Sequence, residues 1–542
     1  LSKIGHYLQE HLSGEVMDSI DARKYFASDS SILFQPPALA IYPRSENDIR
    51  KAIRFSWQLA ERGRLIPISS RGLGSDISGA ALTKGVLLVF SAHINRILEL
   101  DNKDDFITVE AGINFGKLQQ TLNTHSKFIP TYPSNPDYAT IGGVISNNTI
   151  GEKSFKYGSI AKQIKSIRIV LANGEVITVK KLSKRELNKK IGLNTFEGEI
   201  YRGLNNLLED NKELISKTKL DVEFNSAGYN LADITKDKGF DLTPLFVGSQ
   251  STLGIITEVT LKTTPNPDDK TLLVASLNDL NTLQGLVNEF MNMKNRPSSF
   301  EVVNKSLIDA VKNINSNYLK DSLSKDPKEY TVFIEYDDTK RSKLVKRAKK
   351  TILKFTEEVV VLKDPSEQEK YWKIREASSV YIGQNDGSLK ASPIIEDAGV
   401  SPYRLSDLVD GAQQIFDSVG INNPPMWGHL GTGVMHFYPK LNLASVGDKQ
   451  KVFKIMDGYY KLIVSLGGSI SSENSDGKLK APYLEMQYGS EVYALLKKVK
   501  EVFDPYSMFA PGVKFGTTKD ELKEIIKPEF ALYQQFNHLP RS

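Results

Sequence analysis

Two stretches of this chain are dense enough in Gly, Ser, Thr and Asn to hold an anion through the backbone alone. Residues 68–80 read ISSRGLGSDISGA, and residues 132–148 read YPSNPDYATIGGVISNN. Glycine lacks a Cβ and tolerates positive φ, so successive N–H groups can converge on one phosphate. Two such loops in one chain suggest a large phosphorylated ligand gripped from two sides, although either loop alone also reads as a turn between strands. A second kind of chemistry is offered by His429 and His436, two of only seven histidines. On an uninterrupted strand their separation of seven would put them on opposite faces. A helix would align them, but Gly428, Gly431 and Gly433 disfavour it. Those glycines predict a bend that turns both imidazoles into one pocket, with hydrogen-bonded packing as the plainer alternative.

The rest of the chain must be large enough to position such groups. At 542 residues it has room for two or more domains, and 40% hydrophobic, 25% charged and 9% aromatic residues are the proportions of an ordinary soluble protein. A formal net charge of +5, spread over scattered lysines, does not point to nucleic acid. There is no cysteine, which excludes disulfides, thiolate metal sites, a cysteine nucleophile and a cysteine-ligated iron–sulfur cluster in this chain. Single-electron steps would need a relay in a partner or a bound cofactor. The first eighteen residues lack the apolar centre of a signal peptide, and the longest apolar runs, such as 85–90, are too short for a bilayer. The expectation is a soluble cytoplasmic protein, with its Lys-rich exterior leaving contact with the inner face of a membrane open.

The patterning predicts many short strands and a few helices, an α+β rather than a doubly wound arrangement. Residues 45–62 carry a helical stripe (Ile49, Ala52, Ile53, Trp57, Ala60) capped by Ser45 with Asp48 three residues on. LIPIS is a strand running into the first glycine loop, and 115–125 is a helix. Asn173–Gly174 marks a hairpin. Residues 244–262 read as a return to strand, and Pro265 and Pro267 mark a boundary. Beyond it, strands and helices alternate as in a compact sheet with helices on one face; a strand is expected near 393–400. The domain reading is a helical segment 1–34, a first domain 35–265, a second 266–480 and a closing segment 481–542.

In order along the chain, these motifs resemble those of the flavin-linked oxidases with a vanillyl-alcohol-oxidase-type (PCMH-type) FAD domain, in their D-lactate dehydrogenase and glycolate oxidase branch. SSRGLGSDISGA is similar to that family's PRGxGTxxSG loop, and the 132–160 stretch to its segment ending in TIGGxxxxNxxG and KYG. PLFVGSQSTLGIITEVTLK resembles VGSEGTLGIIT, GHLGTGVMH resembles GHxGDGNxH, and GGSISSENSDG resembles GGTxSGEHGxG. FDPYSMFAPGVKF is similar to the closing DPxxxxNPGK.

The resemblance implies a two-subdomain FAD-binding domain, a ferredoxin-like substrate or cap domain and a C-terminal segment returning to the flavin. It places FAD, held non-covalently, against Arg71, Gly72, Leu73, Gly74, Ser75, Ser78 and Gly79. Pro133, Asp137, Thr140, Gly142, Gly143, Asn147 and Gly151 would line the path to the flavin, with Ile256 on the adenine side. It also implies oxidation of a D-2-hydroxy acid such as D-lactate or glycolate, with electrons passing to a quinone, a cytochrome or a partner flavoprotein. Such chemistry needs a cation for the substrate carboxylate and a base for its hydroxyl proton. The resemblance assigns Arg375 to the carboxylate. It assigns His429, His436 and Glu473 to a divalent metal such as Zn²⁺ or Mn²⁺. One departure stands out: where the family has a histidine as base, this chain has Asn474, which cannot accept a proton at neutral pH. Thr432, Val434 and Ala510 also differ from the family's Asp, Asn and Asn. Either His429 or His436 then serves as base, or one of two other readings holds, a flavin oxidoreductase of a sugar-like or aldonolactone alcohol or a silent FAD-binding subunit of a complex.

Overall fold

The computed structural model describes residues 2–527 apart from 237–238, 268, 323–326 and 385–386. Its N-terminal part holds two sheets on one core. The first comprises β1 (Glu15–Met17), β2 (Leu39–Tyr42), β3 (Ile68–Arg71) and β4 (Val86–Val89) in the order β1-β2-β4-β3, with β4 parallel to both β2 and β3. The second is antiparallel: β5 (Ile97–Asp101), β6 (Phe106–Glu110), β7 (Ile164–Val170), β8 (Val176–Val179) and β9 (Ile255–Lys262), ordered β5-β6-β9-β7-β8. Gly174 takes a φ of 82° in the β7–β8 turn, as the Asn-Gly pair predicts. The helix Glu46–Ala60 turns Ile49, Ala52 and Ile53 inward, at the spacing of one helical face.

Towards its C-terminal end the chain returns to this core. Val492, Leu495, Leu496, Val499 and Phe503 of the helix Leu484–Phe503 share it with both sheets. The Ile68 N–H then donates to the Met508 carbonyl, and the Ala510 N–H to that of Ile68. The closing segment thus runs beside β3, the strand that delivers the first glycine loop.

The C-terminal part is built on β10 (Thr271–Leu277), β11 (Ser299–Asn304), β12 (Tyr330–Tyr336) and β13 (Val359–Leu362), ordered β13-β10-β12-β11. Helices Leu280–Met291 and Arg341–Ile352 follow its first and third strands. Antiparallel strands in the order 4-1-3-2 with those two crossovers are ferredoxin-like, as expected. A hairpin of β14 (Met426–His429) and β15 (Val434–Phe437) extends the sheet beyond β11. One sheet face packs on Leu286, Val345, Ala348, Phe416 and Ile455, giving the larger core. On the other, Leu272, Val303 and Phe333 meet helices Lys305–Ile314 and Pro365–Gly383. This second face carries the candidate site.

Three local expectations change. Residues 243–246 form a short helix, because Pro244 costs nothing in a first turn whose N–H groups have no partner; the strand starts only at Ile255. Residues 393–400 make no strand beyond two isolated bridges at Gly399, to Val434 and Ser469: Pro393 lacks an N–H, and Asp397 sits at a φ of 68°. Ser45 occupies the N-cap without a side-chain bond, while the Asp48 carboxylate accepts the N–H groups of Ser13 and Arg44 instead. Among the described residues no helix is long and apolar enough to cross a membrane.

Candidate active site

Both glycine loops open on one cavity of ≈ 660 Å³ that runs on to the two histidines. The first loop is organised by Asp76, whose carboxylate accepts the N–H groups of Ser78 and Ala80, the Ser78 hydroxyl and the Asn147 amide. Among the described residues, no protein acceptor takes the backbone N–H of Gly72, Leu73, Gly74 or Ser75. All four residues line the cavity, a donor set that suits a diphosphate. The Arg71 side chain turns away from it, donating to the Ser28 carbonyl and lying over the Phe26 ring.

The glycines serve the protein as much as a ligand. A Cβ on Gly72 would strike the Thr140 side chain of the second loop, and one on Gly142 would press on Ala111 at 2.9 Å. The smallness of Gly72 lets the two loops approach each other, and that of Gly142 lets the second loop pack on Ala111. Ser78, Gly79 and Gly151 lie outside the cavity wall: Ser78 bonds to Asp76, Gly79 abuts Leu33, and Gly151 abuts Tyr132. Pro133, Asp137, Thr140, Gly143, Asn147 and Ile256 do line it.

At the far end, the β14–β15 hairpin settles the orientation of the histidines. Gly433, at a φ of 71°, closes a tight turn; Trp427 pairs with His436, and His429 shares their face. The ring centroids are 5.4 Å apart. His429 Nε2 and His436 Nε2 approach the Glu473 Oε2 at 3.4 and 3.1 Å. Each imidazole is fixed from behind, Nδ1 of His429 against Glu301 and Nδ1 of His436 against Glu396, both at 2.7 Å. Burial alone would lower both histidine pKa values, but the surrounding carboxylates more than reverse it. Glu301 and Glu473 raise His429 to about 9, and Glu473 and Glu396 hold His436 well above its usual value. The imidazoles in turn overcome burial at Glu473, holding its carboxyl far below the ordinary range. At Glu396 burial wins, and its carboxyl is pushed up to about 7.

The helix Pro365–Gly383 supplies the remaining wall. Trp372, Arg375, Glu376, Ser379 and Ile382 recur at helical spacing and all face the cavity. Arg375 Nε donates to Glu301 Oε2 at 3.0 Å, leaving its terminal nitrogens for the cavity. Glu301 therefore holds Arg375 with one oxygen and His429 with the other. Asn474 lines the same wall, donating through Nδ2 to Asp397 Oδ1 and accepting from the Thr149 hydroxyl.

Several residues of the wall or behind it carried no motif. Glu301 and Glu335, lone acids in otherwise apolar strands, stand behind the cavity, and Trp372, Glu376 and Ser379 on its wall follow from the helical period of Arg375. Gln250 and Ser251, left-handed at φ of 51° and 64°, also line the cavity; Gln250 ties Ser78 to Asn147. They lie in the VGSQSTLG stretch, whose resemblance to the family marked the segment without singling out either residue.

Residues 37–180 match the family model of an FAD binding domain, and residues 266–513 that of the C-terminal domain of FAD linked oxidases. The chain is 27% identical to a D-2-hydroxyglutarate dehydrogenase of Escherichia coli (strain K12), a match covering 93% of this chain and 50% of that protein. It thus spans about half the length of the curated relatives of that name. It is 26% identical to the glycolate oxidase subunit GlcD of Bacillus subtilis (strain 168), covering 94% of this chain and 95% of the subunit. Among solved structures, the 4-ethylphenol oxidase of Gulosibacter chungangensis shares its fold with a TM-score of 0.68 and 14% identity, over 96% of this chain and 99% of the other.

Proposed function

With both domains matched in order over more than half its length, the chain belongs to the FAD-linked oxidase family, and we propose that it oxidises a 2-hydroxy acid to the 2-oxo acid. The observation that carries this reading is the meeting of Arg375 with His429, His436 and Glu473 in the cavity that begins at the glycine loops. FAD, when bound, accepts the two electrons and the hydrogen that leave the substrate's Cα. Gly72–Ser75 would hold its diphosphate through backbone N–H groups, with Asp76 keeping the loop in shape. The electrons must then leave the protein, and a quinone, a cytochrome or a partner flavoprotein is the acceptor class in this proposal.

Arg375 gives the carboxylate end of a hydroxy acid a planar, permanently charged anchor. Its bond to Glu301 fixes where that anchor stands relative to the histidines. Three ligand atoms, His429 Nε2, His436 Nε2 and Glu473 Oε2, lie within 4.8 Å of one another. Two of them, His429 Nε2 and Glu473 Oε2, are buried and make no hydrogen bond. Imidazoles whose other nitrogen is held by a carboxylate have the surroundings of metal ligands, so the residues fit the divalent ion that the resemblance implies. Such an ion would bind the substrate hydroxyl and make it more acidic. The Trp427 and Tyr438 rings close the wall beside His436 and keep water from it. Asn474 cannot take the hydroxyl proton; it would pass to one of the carboxylates that line the cavity beside Asn474, Glu396 or Asp397.

Metal removal tests the ion. Prolonged chelation is expected to cut turnover of the preferred hydroxy acid by at least roughly tenfold with flavin content unchanged, and Zn²⁺ or Mn²⁺ to restore it. His429→Ala should purify yellow, with less metal than the unaltered protein. Full turnover in metal-free protein would remove the ion from the proposal.

A further inference from the structure

One helix of the cap exposes charge of a single sign. Residues 339–356 contain eight cations and no acid, and the helix Arg341–Ile352 lies within them. Val345, Ala348 and Ile352 turn inward onto the larger core, so the cations take the opposite side. Every exposed residue of the helix except Ser342 is a lysine or an arginine: Lys343, Lys346, Arg347, Lys349 and Lys350. Lys340 and Lys354 extend the row at its two ends, and Leu353, at the C-cap and 47% exposed, shares its side of the helix.

Two of the eight cations are ion-paired, Arg341 to Asp269 and Lys354 to Glu289. Among the described residues the other six have no acidic partner. Of the flanking acids, Asp337 and Asp338 hold Lys156, and Glu358 holds Lys328. Like charges one turn apart weaken a helix, and cations in its first turn oppose its dipole. Here Lys343 stands one turn from both Lys346 and Arg347, Lys346 stands one turn from both Lys349 and Lys350, and no acid occupies the first turn. The helix Lys184–Ile191 is also basic, but Glu186 closes its capping box and Lys190 pairs with Glu197.

A row of unpaired cations held rigidly on a core is matched by an anionic surface. Its composition points to the kind of surface. Six of the eight are lysines, which are depleted at protein–protein interfaces, where arginine is favoured. Lysine rows on an amphipathic helix suit the diffuse charge of lipid headgroups. We infer that the helix Arg341–Ile352 seats this protein on a bilayer of anionic lipids, with headgroup phosphates against the lysines and Leu353 between them. Val345 and Ala348 pack on the sheet face opposite the one that carries the candidate site, so the contact leaves the cavity free and is independent of the hydroxy-acid chemistry above.

Co-sedimentation of the purified holoprotein with vesicles is the test. Vesicles of phosphatidylcholine and phosphatidylglycerol in equal parts are expected to bind it at low salt and release it at high salt, with phosphatidylcholine alone binding at least roughly a hundredfold more weakly. The quadruple variant Lys343→Gln, Lys346→Gln, Lys349→Gln and Lys350→Gln should lower partitioning into the mixed vesicles by at least roughly a hundredfold. A second quadruple variant with the same change in net charge, Lys180→Gln, Lys181→Gln, Lys184→Gln and Lys189→Gln, should change it by less than roughly threefold. No binding to the mixed vesicles, equal binding to both kinds, or an equal effect of the two quadruple variants would overturn the lipid contact. Retention on immobilised poly-glutamate in place of vesicles would overturn it too, and would assign the row to an acidic protein.

Discussion

Arg375→Met is expected to lower kcat/KM for the preferred 2-hydroxy acid by roughly 30- to 4,000-fold while the purified protein keeps its flavin. The range corresponds to about 2–5 kcal/mol, the loss on truncating one partner of a desolvated, hydrogen-bonded charge pair. Two effects add here. The substrate carboxylate loses what is, among the described residues, its only permanently charged partner at that end of the cavity, and Glu301, fully buried, loses one of the two cations that hold its carboxyl below the usual range. Lysine at this position is expected to recover little of the loss, since one ammonium cannot serve both Glu301 and the substrate. Steady-state kinetics beside a flavin spectrum checks this. Unaltered kcat/KM in the methionine variant would show that the carboxylate is held elsewhere.

Lys153→Met is expected to lower stability by about 3–5 kcal/mol, an effect on folding rather than on chemistry. Lys153 follows the second glycine loop and is ion-paired to Glu335 on β12, with both side chains almost wholly buried. Burial opposes the lysine's charge, and Glu335 more than restores it. Ser298 donates to Glu335 as well, so the carboxylate has no route to solvent. Beside it, Lys156 and Tyr157 reach Asp337 across the same junction. These contacts join the FAD-binding part to the cap through residues about 180 apart in sequence. Removing Lys153 alone leaves a buried carboxylate unpaired, whereas Lys153→Met with Glu335→Leu removes both charges and should recover most of the loss. Denaturant unfolding of the single and double variants separates these cases; equal losses in both would mean that the pair is not what joins the two parts.

What could be read from the chain alone divides along physical lines. Features set within a few residues were legible: the Asn173–Gly174 turn, the helical stripe through Ile49, Ala52 and Ile53, and the glycine-driven bend between His429 and His436. Prolines misled in both directions. Pro244 opens a helix where the apolar run suggested a strand, and the run after Pro393 pairs only through isolated bridges at Gly399, because Asp397 turns left-handed two residues before it. The site's supports were not legible, since they are long-range. Glu301 meets a histidine 128 residues later, and Glu396 one 40 residues later. Nothing short of folding shows that a lone acid in SFEVVN holds both a histidine and an arginine. The roles of Gly72 and Gly142 were visible as glycines, but their nearest neighbours proved to be Thr140 and Ala111.

Every role proposed above for the candidate site depends on one cavity taking both an FAD and, against Arg375 and the histidines, a 2-hydroxy acid. Anaerobic mixing of the flavin-loaded protein with a panel of 2-hydroxy acids, followed by visible absorption, puts that to the test. Bleaching of the flavin band by at least one of them, with one equivalent of 2-oxo acid formed per flavin reduced, is the expected outcome. A flavin that stays oxidised with every hydroxy acid but bleaches with a sugar alcohol or lactol, or with no alcohol at all, would refute it.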